Sequence, residues 1–203
     1  MNSSTIIEDI LELRKTGLGT IAFFYFDFKD TLKQAAQYAL FSVLNQLAAQ
    51  SDAYSSILSD LYSSHDSGSK QPSEVALKEC LNKMLAFQEQ GPIFIVFDAL
   101  DECPDSTGTP SPREKVLNLV QWFVRSRHPH VHVCVTSRPE VDIEAVIQPL
   151  ASQTVSLHDE GGQMEDIKNY IHFFINSDKC TRKWREEDKE LIIDTLSQRA
   201  DGM

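Results

Sequence analysis

Two short stretches of this 203-residue chain end an apolar run in residues able to do chemistry. The first reads Ile93-Phe94-Ile95-Val96-Phe97-Asp98-Ala99-Leu100-Asp101-Glu102. A continuous apolar run without alternation suits a strand buried on both faces of a parallel sheet. It delivers Asp98 to its carboxyl end, the place where open α/β sheets bind ligands. A carboxylate there can hold magnesium, which prefers oxygen ligands and keeps part of its water shell. The small Ala99 leaves room beside such an ion, and Asp101 or Glu102 can orient or deprotonate an attacking water. By themselves the same letters also describe a buried strand ending in a solvated acidic turn. The second stretch reads Val133-Cys134-Val135-Thr136-Ser137-Arg138-Pro139. Thr136 can hydrogen-bond a water or a phosphate, and Arg138 can grip phosphate oxygens with two N–H groups at once. Alone, this pattern equally describes a capped turn with an exposed arginine.

These residues need a scaffold, and the hydrophobic pattern supplies one. Ile6, Ile7, Ile10 and Leu11 mark one face of a helix running to about Lys15, which Gly17 and Gly19 stop. Ile21 to Phe26 has strand length. Leu32, Ala36, Ala39, Leu40, Val43, Leu44 and Leu47 repeat at helical spacing, and a shorter helix covers Tyr54 to Tyr62. After the loop His65 to Gln71, Pro72 and Ser73 open a helix with Leu77, Leu81, Met84 and Leu85 on its buried face. Strands at Ile93–Phe97 and Val131–Val135 flank a helix striped by Val116, Leu117, Val120, Phe123 and Val124. A helix near Val141 to Ile147 and a weaker strand near Thr154 to Leu157 complete the alternation. Beyond Gly161-Gly162 the pattern is all helical. Alternating strands and helices imply an α/β domain with a mainly parallel sheet. The expected division is a core over residues 1–160 and the start of a helical module over 161–203.

Composition excludes several classes of function. Acidic residues outnumber basic ones 30 to 19, for a net charge of -11, so the surface repels nucleic-acid phosphates and anionic membranes. No apolar run approaches the ~18 residues of a membrane span, and the first residues lack a signal peptide's basic start and apolar stretch. The four cysteines, Cys80, Cys103, Cys134 and Cys180, form no CxxC pair and read as reduced thiols of a cytoplasmic protein.

The string Phe97-Asp98-Ala99-Leu100-Asp101-Glu102-Cys103 resembles the Walker B segment of NACHT ATPases. Thr136-Ser137-Arg138-Pro139 resembles their sensor 1 segment, in the family's order and with a helix between the two. The opening NSSTIIEDI is similar to the helix after the phosphate-binding loop in fungal NACHT proteins with a nephrocystin-like N-terminal module. IAFFYFDFKD is similar to their second strand, and LSQRADGM to the segment after the ATPase core. The resemblance implies a NACHT-type STAND P-loop NTPase domain, a three-layer α/β sandwich. It implies Asp98 as the metal ligand, Asp101 and Glu102 as catalytic, and Thr136, Ser137 and Arg138 as cofactor-binding. Magnesium and ATP are the parent family's cofactors. Such proteins are switches that nucleotide exchange opens for self-assembly, with ankyrin or WD40 repeats often sensing the trigger.

The chain departs from that family in one respect. It contains no G-x-x-x-x-G-K-[ST] string, so the backbone cradle and lysine for the β- and γ-phosphates are missing. The expectation is a truncated domain whose sheet lacks its first, central strand, leaving unpaired edges on the strands around Val135 and Thr154. Such a fragment of an ATP-dependent signalling switch binds nucleotide weakly or not at all by itself, and whether it is an enzyme stays open. The alternative is a non-catalytic protein-interaction scaffold, binding protein partners or a copy of itself, with neither nucleic acid nor membrane as partner.

Several other residues read more simply as structure. His128, His130 and His132 read as an exposed lead-in to a strand rather than a metal site. Cys103 reads as a structural thiol, Trp122, Phe123, Phe173 and Phe174 as core or interface, and Lys179 to Lys189 as a solvated linker.

Overall fold

In the computed structural model, which describes residues 3–17, 19–87, 91–105, 108–156 and 163–199, the apolar stripes form three strands and eight helices. The chain divides into two compact units, Met1–Ala151 and Ser152–Met203.

In the first unit, helix α1 (Ser3–Lys15) leads to strand β1 (Thr20–Tyr25). Helices α2 (Ala36–Ala48), α3 (Asp52–Ser64) and α4 (Glu74–Leu85) precede β2 (Ile93–Asp98). Helix α5 (Pro112–Arg125), β3 (Val131–Val135) and α6 (Val141–Ile147) follow. The sheet is wholly parallel in the order β1-β2-β3. Tyr25 lies beside Asp98, and Phe97 beside Val135. Parallel neighbours need crossovers, and the helices supply them.

Side-chain alternation sorts the layers. Ala22, Phe26, Ile93, Ile95 and Phe97 face the main core with Leu40, Leu44, Leu81, Val120 and Phe123 of α2, α4 and α5. Ile21 and Val96 face the other way and pack against Ile7 of α1. Ile93, Ile95, Val96 and Phe97 are all fully buried, as the unbroken apolar run requires. Local chemistry sets the helix starts. The Ser73 hydroxyl accepts the Ala76 N–H at α4. At α5, Ser111 and Glu114 form a reciprocal capping box with Pro112 in the first turn.

The two edges of the sheet differ. On β1, Gln50 Oε1 accepts the Ile21 N–H at 3.1 Å and its amide donates to Ile21 O at 2.6 Å. Gln46 does the same for Phe23, at 3.1 and 2.7 Å. Two glutamines four residues apart, Gln46 on α2 and Gln50 in the turn that ends it, thus take the place of a neighbouring strand. On β3 no strand pairs with the outer edge among the described residues.

Three expectations need correction. Residues 154–156 form no strand, and Leu157 lies outside the described residues. Val155, the segment's one apolar side chain here, is 59% exposed, so no burial offsets the entropy of ordering it. Helix α2 starts at Ala36, because Asp30 accepts the Leu32 N–H and caps a separate 3₁₀ turn, Thr31–Gln34. The run Lys179–Lys189 is not all linker. In the second unit, α7 (Gln163–Ser177) packs against α8 (Glu186–Arg199), and Lys189 is buried within α8, paired to Glu186 at 2.7 Å. Phe173 and Phe174, read as core or interface, are exposed on α7, which leaves the interface reading.

Candidate functional site

The carboxyl ends of β2 and β3 meet in a short polar rim. Asp98 is the last residue of β2 and half-buried. Beyond it the chain turns sharply through Ala99, which adopts a left-handed conformation at φ 59° and ψ 53°. For a residue with a Cβ that conformation costs about 1–2 kcal/mol. Thr136, the first residue past β3, holds it in place. Its hydroxyl oxygen accepts the Ala99 N–H at 3.0 Å, and its carbonyl accepts the Leu100 N–H at 3.0 Å. The same hydroxyl donates its proton to Asp98 Oδ1. Among the described residues no hydrogen bond reaches the other Asp98 oxygen.

Asp101 and Arg138 form the second link. Asp101 is mostly buried and accepts the Arg138 backbone N–H at 3.1 Å, with the Arg138 Nε 3.4 Å from its other oxygen. The Arg138 side chain is 78% exposed, so the ion pair itself adds little stability; the backbone bond fixes the loop. Glu102 is directed elsewhere. Its carboxylate accepts the Phe28 N–H at 3.2 Å and ties the loop after β1 to the rim. Ser137 is exposed and donates to the Arg138 carbonyl at 2.8 Å. Asp98 with Thr136, and Asp101 with Arg138, are therefore brought together, while Glu102 serves the neighbouring loop and Ser137 its own.

Sequence reading missed Arg113. From the first turn of α5 it donates to the Cys103 carbonyl and to the Asp101 carbonyl, both at 2.9 Å, and pairs with Asp142 of α6 at 3.2 Å. One mostly buried guanidinium thus bolts the acidic turn to two helices. Its only local signal was a place just inside a capping box, where an arginine is ordinarily a surface charge. Tyr25 was also missed; burial raises its phenol, and the charges of Asp98 and Glu8 add to the effect. Burial pushes the Cys103 thiol up to about 12, partly offset by Arg113 and reinforced by Asp101 and Glu102, so it is inert rather than nucleophilic. Burial, then Asp98, also raise the Cys134 thiol.

Among the described residues no three His, Cys, Asp or Glu side chains gather into a metal-binding group. A single carboxylate with one unengaged oxygen still fits magnesium, which commonly binds one or two carboxylates plus substrate phosphates and water. The phosphate side has no counterpart in these residues, since the sequence holds no phosphate-binding loop. His128 bonds Asn82 at 2.9 Å and His132 stacks on Phe94, while only His132 lies on β3.

The fold and rim define an α/β domain with a parallel sheet and an acid–hydroxyl–arginine set at its carboxyl end. The nephrocystin 3, N-terminal family profile matches residues 1–138, a span containing every one of these rim residues. The chain belongs to that family. No curated protein and no solved structure matches it. No helix among the described residues is long and apolar enough to cross a membrane.

Proposed function

We propose that this chain carries the metal-and-sensor side of an ATP-dependent regulatory switch of the NACHT type, and that alone it binds nucleotide weakly or not at all. The observation that carries this reading is the interlocking of two strand ends. Thr136 orients the Asp98 carboxylate, and Asp101 fixes the backbone from which the Arg138 guanidinium projects. A hydroxyl on the acid and an arginine on the same rim suit a phosphate-bearing ligand with a hard cation.

In this reading Asp98 would hold magnesium, which when bound neutralises triphosphate charge. The remaining residues position. Thr136 keeps one Asp98 oxygen engaged, Glu102 anchors the loop at Phe28, and Arg113 holds the turn that carries Asp101. Asp101 and Glu102 remain the candidates for handling a water, and Ser137 and Arg138 for touching phosphate. The cytoplasm suits such a switch, and its partners would be proteins.

Manganese in place of magnesium gives a direct test by NMR. Resonances of residues 25, 98, 99 and 134 to 137 are expected to broaden at millimolar Mn²⁺, and Asp98→Asn to abolish the effect. Broadening centred elsewhere would sink the reading. Calorimetry with Mg-ATP is expected to show no micromolar binding to this chain.

A further inference from the structure

The corner between α5 and β3 holds a pair of imidazoles that the rim does not use. Helix α5 ends at Arg125, and Arg127, left-handed at φ 53°, turns the chain into His128-Pro129-His130. The backbone of this corner is pinned. The Val131 N–H donates to the His128 carbonyl at 3.0 Å, the Ile93 N–H of β2 donates to the His130 carbonyl at 2.8 Å, and Pro129 fixes its own φ. Both histidines are half-buried, whereas His132 is exposed and stacked on Phe94. The rings of His128 and His130 lie 6.1 Å apart between centroids, inclined at 60°. His128 Nε2 is 2.9 Å from Asn82 Oδ1 of α4. An amide oxygen only accepts, so Nε2 carries the proton and Nδ1 keeps a free lone pair. His130 Nε2 is buried and has no hydrogen-bond partner among the described residues. Buried polar atoms are seldom left unpaired, and a bound ion is one of the ways in which such an atom is satisfied.

We propose that His128 and His130 together bind one zinc ion, with Asn82 holding His128 in the ligating tautomer. With metal–nitrogen bonds of about 2.1 Å, two imidazoles on one ion have centroids roughly 5 to 6.5 Å apart, depending on the angle at the metal. The pinned backbone therefore already sets the two rings at a spacing that one ion can span. Imidazole suits zinc and copper, whereas magnesium prefers oxygen, so this corner and Asp98 select different ions. The bond from His128 Nε2 to Asn82 is of the kind that metal-ligating histidines make with their other ring nitrogen, which fixes both tautomer and ring orientation. Two protein ligands leave the remaining positions of a tetrahedral ion to water. Arg125 and Arg127 are exposed, so their charges reach the corner through solvent and are largely screened. The ion would tie α4, through Asn82, to the start of β3, at the amino end of the sheet and away from the rim. None of this depends on nucleotide binding, and Asp98→Asn is expected to leave zinc binding unchanged.

Calorimetry of the whole chain with zinc chloride tests the binding, and NMR of the histidine side chains locates it. One zinc per chain is expected to bind at submillimolar concentration. The nitrogen resonances of His128 Nδ1 and His130 Nε2 should shift on addition of zinc, and those of His132 should not. His128→Asn and His130→Asn should each weaken binding at least tenfold. Asn82→Leu should weaken it about tenfold, while Asn82→Asp, which keeps the acceptor, should preserve it. Zinc that shifts His65, His172 or Cys180 instead, binding unchanged in both histidine variants, or binding only at millimolar zinc, as of an adventitious ion only, would each overturn the proposal. The wild-type titration and spectra decide even if a variant misfolds.

Discussion

β1 and β3 flank the same buried strand, yet they are finished by different means. The outer peptide groups of Ile21 and Phe23 on β1 are met by Gln50 and Gln46, so most of that edge is covered within the chain. The outer peptide groups of β3 are open, and β3 is held beyond its pairing with β2 by bonds at its carboxyl end, from Thr136 and Arg138 to the acidic turn. The difference teaches that the polar rim is also structural. The groups that position Asp98 are those that anchor the edge strand. Disturbing the rim should therefore loosen β3, while disturbing the glutamines should loosen β1 and leave the rim intact.

The largest effect is expected at Arg113. Replacing it by Leu strands the Asp101 and Cys103 carbonyls and leaves Asp142 unpaired, for a loss of about 3 kcal/mol. A lower urea midpoint with unchanged slope checks this, and a loss under about 1 kcal/mol would make Arg113 a bystander. Gln46→Leu comes next, at about 2 kcal/mol, because it leaves both polar groups of Phe23 without partners. Hydrogen exchange should then accelerate at Phe23 and stay unchanged at Ala99; acceleration at both would break the distinction between the edges.

Thr136→Val is expected to cost about 1 kcal/mol and to free the Ala99 amide for exchange while the Leu100 amide keeps its bond to the carbonyl of residue 136, with Thr136→Ser restoring protection at Ala99. The smallest effect concerns pH. The folded Cys103 thiol titrates higher than in the unfolded chain, at about 12, so its contribution is complete below pH ~9 and falls as pH rises toward that value. Cys80, Cys134 and Tyr54 are raised by burial as well and act in the same direction. The test is the difference in alkaline sensitivity between wild type and Cys103→Ala, expected to be nil near neutrality and positive in alkali.

Much of the fold was legible because burial leaves a periodic signature. The β2 run from Ile93 to Phe97 and the α2 stripe through Leu40, Val43, Leu44 and Leu47 are one-dimensional records of which side faces the core. The 154–156 segment misled because strand propensity without an apolar face does not order a chain. At the rim, Asp98 and Thr136 were legible from their places just at or after buried strands. Arg113 was not, since an arginine on a helix looks the same whether it meets water or two carbonyls. Gln46 and Gln50 were hidden for the same reason.

The sequence by itself determined the α/β class, the strand ends that present Asp98 and Thr136, and the absence of a phosphate-binding loop. Those follow from local pattern and residue identity. Only the tertiary structure decided that Thr136 donates to Asp98, that Glu102 serves Phe28 instead, and that glutamines cover much of one sheet edge while no strand or glutamine covers the other among the described residues. Such pairings join residues dozens of positions apart, and hydrogen bonds depend on distance and direction in space, which a linear pattern does not carry.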